Sequence, residues 1–185
     1  MSNFLTNVAQ SIWDEFVGGI KQIDTDHYYI HEGKKFCYSQ NQSINAAATY
    51  AISFTTPADT TEIHWRPPIV VSSGDKLKIE LYETDAPTGG VDKSSSVFNY
   101  NRNSSTVTTL QMFKNGTTKT AGTAILTDYI GGGTNVGGNS SGGTTLQKEE
   151  RVLKQNTTYT LLLTNGSAAT NIVNVILSWY EELAY

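Results

Sequence analysis

Cysteine is almost missing from this chain: Cys37 is the only one. That excludes an intrachain disulfide and any zinc site built on cysteines of a single chain, and leaves Cys37 to be read as a small apolar residue on a strand. Charge is also scarce, with Lys, Arg, Asp and Glu making up 16% of the residues and a net charge of −4. No basic run exists, so the electrostatic footprint of a nucleic-acid binder or of a polybasic membrane patch is absent. No run of about 18 apolar residues could cross a membrane as a helix. The opening "MSNFLTNVAQSIWDEF" has no positive charge ahead of its apolar positions and no small-residue cleavage pattern. A secretory signal is therefore not expected, and folding in a reducing cytoplasm is.

Catalytic signatures are missing as well. There is no Gly-x-Ser-x-Gly elbow and no His-Glu-x-x-His pair, so neither pattern supports a hydrolase. The neighbours Glu149–Glu150 and Glu181–Glu182 point to opposite faces of any strand, which suits solvated strand ends better than an acid/base pair. No catalytic residue, metal ligand or cofactor is expected.

What is present is Gly, Thr, Ser and Asn, a mixture that suits strands and turns. Phe4, Leu5, Val8, Ile12, Trp13, Phe16 and Val17 recur at helical spacing, and Gly18 and Gly19 would end that helix. Such a short helix is marginal alone, so its apolar face must pack on the domain or dock on another chain. From residue 27 the period becomes two. Strands are expected over 27–32, 35–40, 49–55, 61–65, 76–83, 107–113, 123–130, 150–155, 158–164 and 171–182, with Gly, Pro, Asn and Ser turns between them. The fold class expected is all-β: a jelly-roll-like β-sandwich over residues 23–185, preceded by a short N-terminal helix or arm over 1–22.

Within this frame three segments stand out. In "HYYIH", His27 and His31 would share a helix face and could grip one metal, but Tyr-Tyr-Ile favours a strand. On a strand the two histidines lie four rises of ~3.3 Å apart, or ~13 Å, too far for one ion. The run 131–143 holds seven glycines in thirteen residues and reads as a surface loop. In "FNYNRNSS", Asn99, Asn101, Arg102 and Asn103 either structure a long loop by bonding backbone groups or, through Arg102, reach across a subunit interface. Six Asn-x-Ser/Thr triplets follow from the Asn- and Thr-rich composition rather than from glycosylation.

Taken together, "HYYIHEG", "VFNYNRNSS" and "VLKQNTTYTLLLTNGSAATNIVNVILSWYEE" resemble, in that order, a group of small tailed-bacteriophage virion proteins of the capsid region. The resemblance implies a head decoration, or cement, protein. It would be made in the host bacterial cytoplasm and bound to the outside of an assembled capsid, with the major capsid protein and its own copies, as a homotrimer, for partners. No enzyme, nucleic-acid or membrane role is implied. In such a protein the apolar face of Phe4, Leu5, Val8, Ile12, Trp13 and Phe16 is the expected capsid-docking surface. An alternative is a carbohydrate- or receptor-binding module of a head fibre or tail. Ten Tyr and three Trp supply stacking candidates for a host-surface glycan, although aromatics at alternating strand positions are more often core.

Overall fold

A computed structural model describes residues 25–74, 76–130, 142–145 and 150–183. The N-terminal helix or arm expected over 1–22, with its docking residues, lies outside the described residues, as does most of the glycine-rich run.

Twelve strands are described. In chain order they are β1 (Lys35–Ile44), β2 (Thr49–Thr55), β3 (Thr61–Ser72), β4 (Leu77–Glu83), β5 (Thr88–Asp92), β6 (Phe98–Asn99), β7 (Gln111–Thr118), β8 (Thr123–Ile130), β9 (Gly142–Thr145), β10 (Arg151–Leu153), β11 (Thr158–Asn165) and β12 (Asn171–Leu183). One sheet runs β10-β3-β12-β1-β6, with β9 also on β3; the other runs β5-β7-β2-β11-β4-β8. Every pairing is antiparallel. Setting aside β5, β6, β7 and β9, the remaining strands numbered in chain order alternate between sheets as 1-8-3-6 and 2-7-4-5. This is the jelly-roll order, with two Greek keys wrapped into a sandwich. β5 to β7 form an insertion that extends both sheets on one side.

The core follows from the period-two pattern. Leu77, Ile79 and Leu81 of β4 face Leu161 and Leu163 of β11 within one sheet, and β12 sends Val173, Val175, Leu177 and Trp179 inward from the other. The centre is aromatic. Phe54 stacks on Trp65 at 4.6 Å, Phe113 meets Tyr38 at a tilt with ring centroids 4.7 Å apart, and Trp179 lies about 6 Å from Trp65, Phe36 and Phe113. Trp65 and Trp179 are thereby enclosed and offer no face to a sugar. Asn115 and Asn165, each opening an Asn-x-Ser/Thr triplet, are 4% and 0% exposed, which rules out a glycan on either in the folded chain.

β3 runs through Pro67 and Pro68, which cannot donate to a ladder. The register with β12 shifts just there: Ile176 faces Ile69 while Ser178 faces Arg66. On the other edge, β10 pairs with Ile63 to Trp65 and β9 with Ile69 to Ser72. Both ladders leave the prolines out, so the strand continues for twelve residues where a five-residue strand was expected.

Two corrections arise here. "HYYIH" is not a strand: Thr25–His31 is a helix, α1. Its end is a Schellman turn, in which the amides of Gly33 and Lys34 donate to the carbonyls of Ile30 and Tyr29 while Gly33 sits at φ +67°. The run 131–143 is also not loop throughout, because Gly142 and Gly143 belong to β9.

Candidate functional site

Helical geometry brings His27 and His31 together, because residues four apart share a face. Their Nε2 atoms are 3.1 Å apart and both side chains are exposed. Separation along a strand therefore does not apply. The pair supplies two donors, and among the described residues no group of three or more His, Cys, Asp or Glu side chains is arranged to hold a metal.

α1 lies over the outer face of the first sheet, held by charge and by ring stacking. Asp26 pairs with Lys35 of β1 at 2.9 Å and with Arg66 of β3 at 2.8 Å. Burial acts to raise the Asp26 carboxyl, but the two cations outweigh it and hold it below its ordinary value. Tyr29 stacks on Tyr180 of β12 at 4.0 Å, and Tyr180 stacks on His64 of β3 at 4.4 Å, its direct cross-strand neighbour. Tyr29 also donates to Glu182 at 2.5 Å.

His64 is the only described histidine drawn into the body of the protein. Its Nδ1 meets Glu150 Oε1 at 2.7 Å, the oxygen that also accepts from the Tyr180 hydroxyl at 2.5 Å. Burial pushes Glu150 up, yet Tyr180, His64 and Arg66 together keep it below the usual carboxylate range. Nε2 of His64 is buried without a hydrogen bond among the described residues, with Glu62 and Glu182 at 3.8 and 3.7 Å. One nitrogen is committed and the other enclosed, so neither is presented to a substrate. The cluster fastens α1 and the start of β10 to the sheet.

The asparagine-rich segment is pinned by its own side chains. Asn99, on β6, donates to the carbonyls of Gly33 at 2.6 Å and Thr106 at 3.2 Å, and its Oδ1 accepts from the Asn101 amide. Asn101 donates to the His31 carbonyl at 3.3 Å and accepts from the Asn103 amide. Arg102 is exposed, with its guanidinium over the Phe98 ring at 5.1 Å. Lys35 lies over the Tyr100 ring at 5.0 Å. The segment thus turns Phe98 and Tyr100, 49% and 40% exposed, outward on a tied backbone.

Three further positions are placed by the structure. Cys37 is on β1 as expected but only half-buried; burial pushes its thiol up, and the nearby Arg102 and Lys35 oppose this. Glu181 is no solvated strand end. It is 6% exposed and accepts from the Thr108 hydroxyl, the Thr109 amide and the Trp179 indole. Glu150 is half-buried in the His64 cluster. In comparisons with protein-family models, curated proteins and solved structures, none matches this chain.

Proposed function

We propose that this protein is a structural virion component that binds the outer surface of a bacteriophage capsid as a decoration protein, with a homotrimer as its working form. The observation that carries the reading is the Asn-pinned loop, which offers Phe98, Tyr100 and Arg102 outward from a β-sandwich. Exposed Tyr and Arg on a rigid backbone are the composition of interface hot spots, and here they belong to the segment through which the sequence resembles phage virion proteins. The jelly roll supports the reading as a frame that viral coat proteins use, although fold alone does not fix function. Three copies would multiply modest contacts through effective concentration on a repeating shell.

The test combines native mass measurement with co-sedimentation on purified capsids of the phage whose genome encodes the chain. A trimer that pellets with capsids is expected. Arg102→Ala should give a folded chain of lower mass, and deletion of residues 1–20 a folded sandwich that stays in the supernatant. A wild-type chain that is monomeric and fails to pellet overturns the reading.

A further inference from the structure

Along β1 the core-facing positions read Phe36, Tyr38, Gln40, Gln42 and Ile44. The alternation that buries apolar side chains elsewhere here carries two amides inward. β6 pairs only with Phe36 and Cys37, so among the described residues β1 is the edge of its sheet from Tyr38 onward. Across from it stands Asn115 of β7, which pairs with the core residue Ile52 and faces the same way. Gln40, Gln42 and Asn115, with Tyr50, Val91 and Lys93, line a cleft of about 290 Å³.

The bonding in this cleft is unfinished. The Tyr38 hydroxyl donates to Gln40 Oε1 at 2.9 Å, so it accepts from Asn115 Nδ2, which also lies 3.3 Å from Gln40 Oε1. That fixes the orientation of the Asn115 amide. Its Oδ1 is left buried with no hydrogen-bond partner among the described residues, a costly state for an acceptor. Gln40 and Gln42 donate to the carbonyls of Asn41 and Ser43, their own chain neighbours, at 2.6 and 3.0 Å. Such local bonds are readily exchanged for a ligand's. Burial and the nearby Tyr38 push the Tyr50 hydroxyl up to about 12, against the pull of Asn115, so Tyr50 remains a donor at any physiological pH.

A second cleft of about 340 Å³, lined by Ala51, Thr117 and Leu162 together with Tyr50 and Gly116, opens on the outer face of the sheet that carries Tyr50. Gly116 sits at φ +67°, and a Cβ there would lie 4.0 Å from the Tyr50 ring. Glycine therefore satisfies the left-handed backbone and adds no side chain beside the Tyr50 ring edge.

We propose that the first cleft is a saccharide-binding site, with one sugar unit among Gln40, Gln42, Asn115 and Tyr50. Amides offer donors and acceptors at the spacing of vicinal hydroxyls, and a tyrosine ring offers an apolar face, the combination a polyhydroxylated ligand needs. Among the residues lining the first cleft, Lys93 is the only charge, which suits neutral sugars and uronic acids alike. The proposal is independent of capsid binding and could fail or succeed without it.

Saturation-transfer NMR of the full chain, with glucose, galactose, N-acetylglucosamine and glucuronate tested in turn, decides it. Transfer to at least one sugar is expected. Gln42→Trp, which fills the first cleft, should weaken that sugar's binding roughly tenfold or more. Val91→Trp, at an exposed position on the opposite wall, should do the same, so that a folding defect in one variant does not decide the outcome. Absence of transfer to all four sugars overturns the proposal, because the cleft then holds water only. Unchanged binding in both variants also overturns it.

Discussion

Tyr180 and His64, facing each other across β12 and β3, stack at 4.4 Å and direct their polar atoms to a single oxygen of Glu150. Glu150 stands just before β10, which adds only three residues to the edge of the first sheet. Replacing it leaves a buried imidazole and a phenol without their acceptor. Glu150→Ala should cost about 1–3 kcal/mol and Tyr180→Phe, which keeps the stack, about 0.5–1.5 kcal/mol. Urea denaturation measures both. A Glu150→Ala protein as stable as the wild type would show that the shared acceptor is not what fastens this edge.

Glu181 gives a sharper case, because its partners are deeper. Glu181→Ala strands the Trp179 indole and the Thr109 amide inside the sandwich. A loss of about 2–3 kcal/mol is expected, together with faster amide exchange over 104–110, the stretch that Glu181 ties to β12. Wild-type exchange rates there would show that the loop is held by something else.

Acid sensitivity should trace in part to Asp85, 6% exposed. Burial acts to raise its carboxyl, but the Thr160 hydroxyl and the amides of Ala121, Thr120 and Ala86 outweigh this, and the group ends below its ordinary 3.8. The folded state therefore binds its proton less readily than the unfolded chain. The resulting stabilisation is complete above the ordinary value and disappears as pH falls through the lower folded one. Asp85→Asn should lower stability at neutral pH and flatten the decline below about pH 4. Parallel acid profiles for the two proteins would contradict this.

Gly33→Ala tests the turn that ends α1. Besides the strain of φ +67°, a Cβ there would collide with the Ser104 side chain. The expected cost is roughly 1–3 kcal/mol. Adding Ser104→Gly should recover the steric part but not the backbone part. A Gly33→Ala protein that melts like the wild type would refute the packing of the 99–106 segment against this turn.

Much of the sandwich was legible because burial on one face imposes period two on the sequence. "TYAISFT" is the whole of β2, "TAILTDYI" the whole of β8, and "NIVNVILSWYEE" all but the last residue of β12. The strand expected over 107–113 lies instead at Gln111–Thr118, since the Thr-rich residues before it bond to Glu181 rather than to a ladder. β5 and β6 escaped notice because neither alternates: Thr88–Asp92 is exposed throughout and β6 is only two residues long.

The site residues divide the same way. Local chemistry announced that Asn99 and Asn101 could bind backbone, but not that their acceptors would be Gly33 and His31, far away in the chain. Gln40 and Gln42 do carry a local signal, two amides in phase with Phe36 and Tyr38 on one face of β1. The preference of Tyr-Tyr-Ile for a strand lost to tertiary contacts, because a helix lets Tyr29 stack on Tyr180 while Asp26 reaches Lys35 and Arg66.

The sequence by itself determined an all-β chain, the greater part of its strands and its inward residues, since alternation is a local consequence of having one face dry. Only the tertiary structure decided which strands lie side by side, that "HYYIH" coils so that two histidines meet, and that amides from β1 and β7 face each other across a cleft. Those outcomes depend on contacts between residues distant in the chain, and no local period records them.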